Sequence, residues 1–113
     1  MNDPPDPHAQ ELEALLQTLW KSNYTTLLER LGILRGAQGK LAASCLDDQT
    51  RKDAEAAAHK FAGVLGTFGL PEGSRLASKI EALLAQEAEL SAEHGRELGE
   101  WLDELEAVVA SKP

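Results

Sequence analysis

The sequence predicts an all-α protein: an antiparallel four-helix bundle with an additional N-terminal helix. Three observations carry this. Leu, Ala and Glu, all strong helix formers, dominate the chain. β-Branched runs are nearly absent, "AVVA" near the C-terminus coming closest to one. Apolar residues recur at the i, i+3, i+4, i+7 spacing of a single helix face, in segments separated by short turns. With 113 residues, 42% of them apolar and only 4% aromatic, the chain can bury one modest core, built from leucine and alanine rather than from rings.

The proline-rich start "MNDPPDP", residues 1–7, is expected to be a flexible lead, and residues 8–113 to form the bundle. Asp6 as N-cap with Pro7 at the first helical position opens the first helix. Its stripe is Leu12, Leu15, Leu16 and Leu19, and it ends near Lys21. Ser22 or Asn23 caps a second helix, with Tyr24, Leu27, Leu28, Leu31, Leu34, Leu41 and Cys45 on its apolar seam. Gly32, Gly36 and Gly39 weaken this helix, so it is held by packing or breaks near Gly36.

"LDDQT" is a turn, with Asp47 or Asp48 capping the third helix. Ala54, Ala57, Ala58, Phe61, Val64, Leu65 and Phe68 form that helix's inner face, and Gly69 stops it. Pro71 opens the fourth, with Glu72 in the first turn, where the helix dipole favours an acid; its stripe is Leu76, Ile80, Leu83 and Leu84. Ser91 caps the fifth, with Leu98, Trp101, Leu102, Leu105 and Val108 facing inward. Helices two to five are each expected to run for roughly 18 to 22 residues, about 30 Å. Short loops make successive helices antiparallel neighbours, and the first helix is expected to pack across one end or side.

Charge narrows the function. The 19 acidic and 11 basic residues leave a net charge of −8. No cluster of Lys and Arg exists to replace phosphate counterions, which argues against nucleic acid and against an anionic membrane surface. No apolar run approaches the roughly 20 residues that span a bilayer, and the start has neither the basic region nor the apolar core of a signal peptide. A single cysteine, Cys45, fits a reducing, cytoplasmic setting and is read as packing. The histidines and the cysteine offer no zinc spacing, so no metal or cofactor is expected in this chain. Protein partners remain.

One segment stands out: "AHKFAGVLGTFGL", residues 58–70. Advancing about 100° per residue, the apolar positions of this helix fall in one arc and His59 lands nearly opposite, facing solvent. Its neighbours on the wheel are Lys52, Ala56, Gly63 and Gly66. Two glycines in a helix interior are costly, and Gly63 lies one turn beyond His59 on the same face. They either admit a neighbouring helix or leave the imidazole open to a large partner. A flat, cleared face suits a folded protein better than a small molecule, whose sites are concave. His8 and His94 are read as surface residues, and Trp20 and Trp101 as core or core edge.

"AHKFAGVLGTFGLPEGSRLASKIE" resembles a histidine phosphotransfer (HPt) domain, of the subtype found with multidomain response regulators. The resemblance is carried by His59, by the apolar Phe61 at +2 and by Gly63 at +4, and it is strong over residues 50–85. The family usually has lysine at +3, here Ala62, and often serine at +5, here Val64; lysine stands instead at +1, as Lys60. The resemblance implies an antiparallel four-helix bundle whose histidine accepts a phosphoryl group from an aspartyl-phosphate receiver domain and passes it to another.

On this reading the protein is a phosphocarrier rather than an enzyme, with a response-regulator receiver domain or a hybrid histidine kinase as partner and a monomer as its expected state. Mg²⁺ and a lysine come from the receiver, so the site is expected to need no second carboxylate. His59 is the phosphoacceptor. Lys60, Gly63, Arg75, Lys79 and Lys52 support it, Ala56, Ala62 and Gly66 extend the docking face, and Gln38, on the apolar seam of the second helix, is read as a polar group satisfied locally, with the imidazole as its alternative partner. The alternative is a bundle that docks on and regulates a kinase or receiver without being phosphorylated. That alternative does not need His59; a small enzyme using His59 as general base lacks a partnering acid, and a bundle serving only as a dimerisation device stays open.

Overall fold

The structure, a computed structural model, describes residues 7–112. Four helices follow one another: α1, Pro7–Ala42; α2, Asp48–Thr67; α3, Pro71–Ala85; and α4, Ala92–Ser111. They run alternately up and down, with α1 and α3 each packed between α2 and α4. Leu27, Leu34, Phe61, Leu65, Ile80, Leu84, Leu98, Leu102 and Leu105 are fully buried at the centre.

The four-helix bundle stands, but the additional N-terminal helix does not exist as a separate element. It is the first part of α1, which runs unbroken for 36 residues. Ser22 and Asn23, expected to cap a new helix, instead bond back to the Leu19 carbonyl at 3.0 and 2.8 Å. This use of a short polar side chain is compatible with a helix interior. Nor does α1 break at Gly36, because Leu34, Ala37 and Leu41 around it are buried and hold it by packing. At 15 residues, α3 is shorter than expected. The Asp6 cap and the lead up to Asp6 lie outside the described residues, while Pro7 begins α1.

The leading stripe of α1 is a further departure. Leu12, Leu15 and Leu19 are exposed, and so are Tyr24 and Leu28. The ring of Trp20 packs edge-on against Phe68, the C-cap of α2, at 5.2 Å, and the Lys112 ammonium at the end of α4 sits 5.6 Å from that ring. Both neighbouring helices therefore end level with Trp20, and about 20 Å of α1 extends past them. Cys45 is also exposed rather than packed. Ser44 adopts a left-handed conformation that ends the helix before Cys45 reaches the seam. In α4, Val109 rather than Val108 is buried.

The α2–α3 hairpin positions the candidate site. Gly69, at φ +73°, turns the chain, and the Leu70 amide donates back to the Leu65 carbonyl. Pro71 then starts α3. A Cβ on Gly73 would stand 2.7 Å from Leu65 Cδ1 and 3.0 Å from Val108 Cγ1, so any side chain here would have to displace these two. At the other end the Arg51 guanidinium donates to the carbonyls of Leu84 and Gln86, closing the C-terminus of α3. The hairpin is thus fixed at both ends.

Candidate functional site

His59 stands midway along α2. Ala58 and Phe61 beside it are fully buried and fix the rotation of the helix. The imidazole is therefore directed outward, with its side chain 76% exposed.

Its Nδ1 lies 3.0 Å from both carboxylate oxygens of Glu81 on α3. An ionised carboxylate only accepts, so Nδ1–H donates, and in the neutral ring the lone pair is then on Nε2. This corrects the expectation that no carboxylate stands near the histidine. The signal for Glu81 was present in the chain, since His59 and Glu81 are equidistant from Leu70 at the tip of the hairpin. Gly66 and Ser74 are equidistant from it too, and a Cβ on Gly66 would lie 3.5 Å from Ser74 Oγ. The Ser74 hydroxyl donates to the Ala62 carbonyl at 2.9 Å and holds the same register.

The glycines are not there to admit a helix of this chain. A Cβ on Gly63 would meet nothing within 4 Å, and on Gly66 only an ordinary contact. Ala56 is exposed beside them, whereas Ala62 is half-buried against the core on the α3 side.

Basic groups gather on the opposite flank of His59. Lys60 lies about 100° round the helix and, with Arg30, Lys40 and Ala56, lines an open groove of about 450 Å³ between α1 and α2. Lys40 is already engaged, by Asp47 at 3.3 Å and Thr50 at 3.1 Å. Arg30 was not anticipated, because its place beside Lys60 depends on how α1 packs on α2. It also lines a second hollow with Lys60, Gly63 and Val64. Lys52 is exposed on the His59 face, two turns earlier.

Arg75 and Lys79 are not brought to His59. With Glu72, Leu76 and Glu104 they line the groove between α3 and α4, and the Lys79 ammonium sits 5.9 Å from the ring of Trp101. Both lie more than about 100° round α3 from Glu81. Gln38 is also elsewhere, its amide donating to the Gly95 carbonyl between α1 and α4 at 3.2 Å. His94 accepts from the Ser91 amide within the capping box of α4, and His8 lies 3.7 Å from Glu11.

An exposed histidine midway along a four-helix bundle is the arrangement the resemblance led us to expect, the Glu81 carboxylate beside it is not, and comparison with known proteins decides the family. The sequence matches the Hpt domain family over residues 8–111. This chain is an Hpt domain. Histidine phosphotransfer is the general activity of that family. Protein RcaC of Microchaete diplosiphon is 31% identical over 90 residues, which cover 80% of this Hpt domain and 14% of that protein, so the chain spans a small part of the relative it matches. No solved structure matches the Hpt domain significantly. Among the described residues no helix is long and apolar enough to cross a membrane.

Proposed function

We propose that His59 is the phosphoacceptor: it takes a phosphoryl group from the aspartyl phosphate of a receiver domain and gives it to another, in a two-component phosphorelay. The observation that carries this reading is the exposed imidazole held through Nδ1 by Glu81, on a helix face where Gly63 leaves open space.

Nε2 attacks phosphorus as the bond to the aspartate oxygen breaks, and the aspartate leaves as a carboxylate. Phosphoryl transfer has a loose transition state, so catalysis rests on position and charge. The receiver supplies Mg²⁺ and a lysine. The attack leaves positive charge on the ring, which the Glu81 carboxylate offsets while Nδ1–H stays in place. Lys60 and Arg30 favour the incoming anion from the α1 side. They do so from the flank opposite Ala62, where the family usually carries lysine, so the positive charge reaches the phosphate from a different direction. The carrier works in the cytoplasm and does not turn over by itself.

The test is incubation with a phosphorylated receiver domain. The wild-type chain acquires acid-labile, alkali-stable label and His59→Gln acquires none. Label persisting on His59→Gln sinks the assignment and favours a docking module that is modified elsewhere.

A further inference from the structure

Arg30 is half-buried and, among the described residues, makes no hydrogen bond or ion pair. The other half-buried arginines are engaged: Arg35 by Asp103 and Glu106, Arg51 by the carbonyls of Leu84 and Gln86. No acid stands three or four positions from Arg30 on α1, where Thr26, Leu27, Ile33 and Leu34 lie. Asp53 of α2 lines the same groove but accepts from Gln49 instead, at 2.9 Å. A guanidinium drawn partly out of water without a carboxylate, in a chain of net charge −8, is a site for an anion that the chain itself does not supply.

Its position says where that anion comes from. Arg30 and Lys60 line both hollows between α1 and α2, one of about 450 Å³ that reaches Ile33 and Ala56, and one of about 460 Å³ that reaches Leu19 and Gly63. Ala56 and Gly63 belong to the face that carries His59, so both hollows run into that face. His59 itself lines neither. The surface around the two cations is apolar: Ile33 is 43% and Leu19 42% exposed, with Val64 and Phe68 half-buried. Arginine set in an apolar patch is typical of the anchors of protein interfaces.

We infer that Arg30 selects the partner: its guanidinium pairs with a carboxylate on the surface of the docking receiver domain and seats that domain across α1 and α2. This rests on the phosphotransfer reading, which makes a receiver the occupant. A folded domain that reaches His59 lies over Ala56 and Gly63 and so covers the adjoining hollows. Glu81 stands on the other side of His59 and repels carboxylates there, so the charge asymmetry also sets the orientation of docking.

Single-turnover transfer from a panel of receiver domains phosphorylated with acetyl phosphate tests this. For the receiver that labels the wild type fastest, Arg30→Gln raises the half-saturating concentration roughly tenfold and leaves the limiting rate within about twofold. Arg30→Glu raises it further, and Arg30→Lys restores part of the loss. Wild-type docking weakens as NaCl rises from about 50 to 300 mM, and that dependence flattens in Arg30→Gln, which lost packing alone does not produce. Equal half-saturation in the wild type and Arg30→Glu overturns the proposal. So does a fall in limiting rate alone, or a phosphohistidine half-life shortened severalfold in isolated Arg30→Gln, since either puts the guanidinium on the phosphoryl group. Failure of the phosphotransfer reading looks different: no receiver then labels His59 in the wild type, and both readings fall together.

Discussion

His59 is accessible because of what its neighbours lack. Gly63 has open space where a side chain would stand, so Gly63→Gln is expected to fold normally. It should even gain slightly in melting temperature, since glycine is the poorer helix former by up to about 1 kcal/mol. Transfer should nevertheless slow by roughly tenfold or more, because small misplacements of reacting groups are costly. Unchanged kinetics in a phosphotransfer time course would show that the partner does not approach over this face. Glu81 carries the complementary prediction. Glu81→Ala leaves the ring unheld and slows acceptance by roughly tenfold, while Glu81→Gln keeps an acceptor, loses the charge and falls between. Wild-type rates in both variants would assign the orientation of His59 to something else. The outward position of His59 and the bareness around Gly63 were legible from the helical wheel alone. Glu81 and Arg30 were not read from it, because contacts between helices depend on register, which the periodicity of one helix does not contain.

At the scale of elements, stops and starts decide the architecture. The N-cap of α2 is Asp47, whose side chain accepts from the Thr50 amide at 3.1 Å and from its hydroxyl at 2.6 Å. The Thr50 hydroxyl, then its amide, hold the carboxyl far below its ordinary value of 3.8. A carboxyl depressed in the folded state contributes stability that is present above the unfolded value and lost as pH falls towards the folded one. Asp47→Ala is therefore expected to melt below wild type at pH 7, with the gap narrowing as the pH drops through and below 3.8. A gap constant from pH 7 to pH 2 in thermal melts would contradict the capping role. This cap was legible as Asp47 or Asp48, and Gly69 and Pro71 were legible outright, because cap and turn chemistry is local. The continuity of α1 was misjudged for a related reason. Ser22 and Asn23 suit a cap and also suit back-bonding within a helix, and local sequence does not separate the two.

For the whole molecule, the closeness of α3 to its neighbours rests on Gly73 beneath Leu65 and Val108. Gly73→Ala overpacks that junction and is expected to cost about 1–3 kcal/mol in urea unfolding, with phosphoryl acceptance retained at temperatures where the variant stays folded. No loss of stability would mean that Leu65 turns aside freely. The sequence by itself determined the helical class, the inner faces of α2, α3 and α4, and the outward direction of His59, because each follows from the 3.6-residue period and local caps. Tertiary structure alone decided that Glu81 and not Arg75 or Lys79 attends the imidazole, that Arg30 joins Lys60, and that the first leucines of α1 stay bare. Those outcomes depend on where neighbouring helices lie and where they end, and no periodicity within a single helix encodes the length of the next.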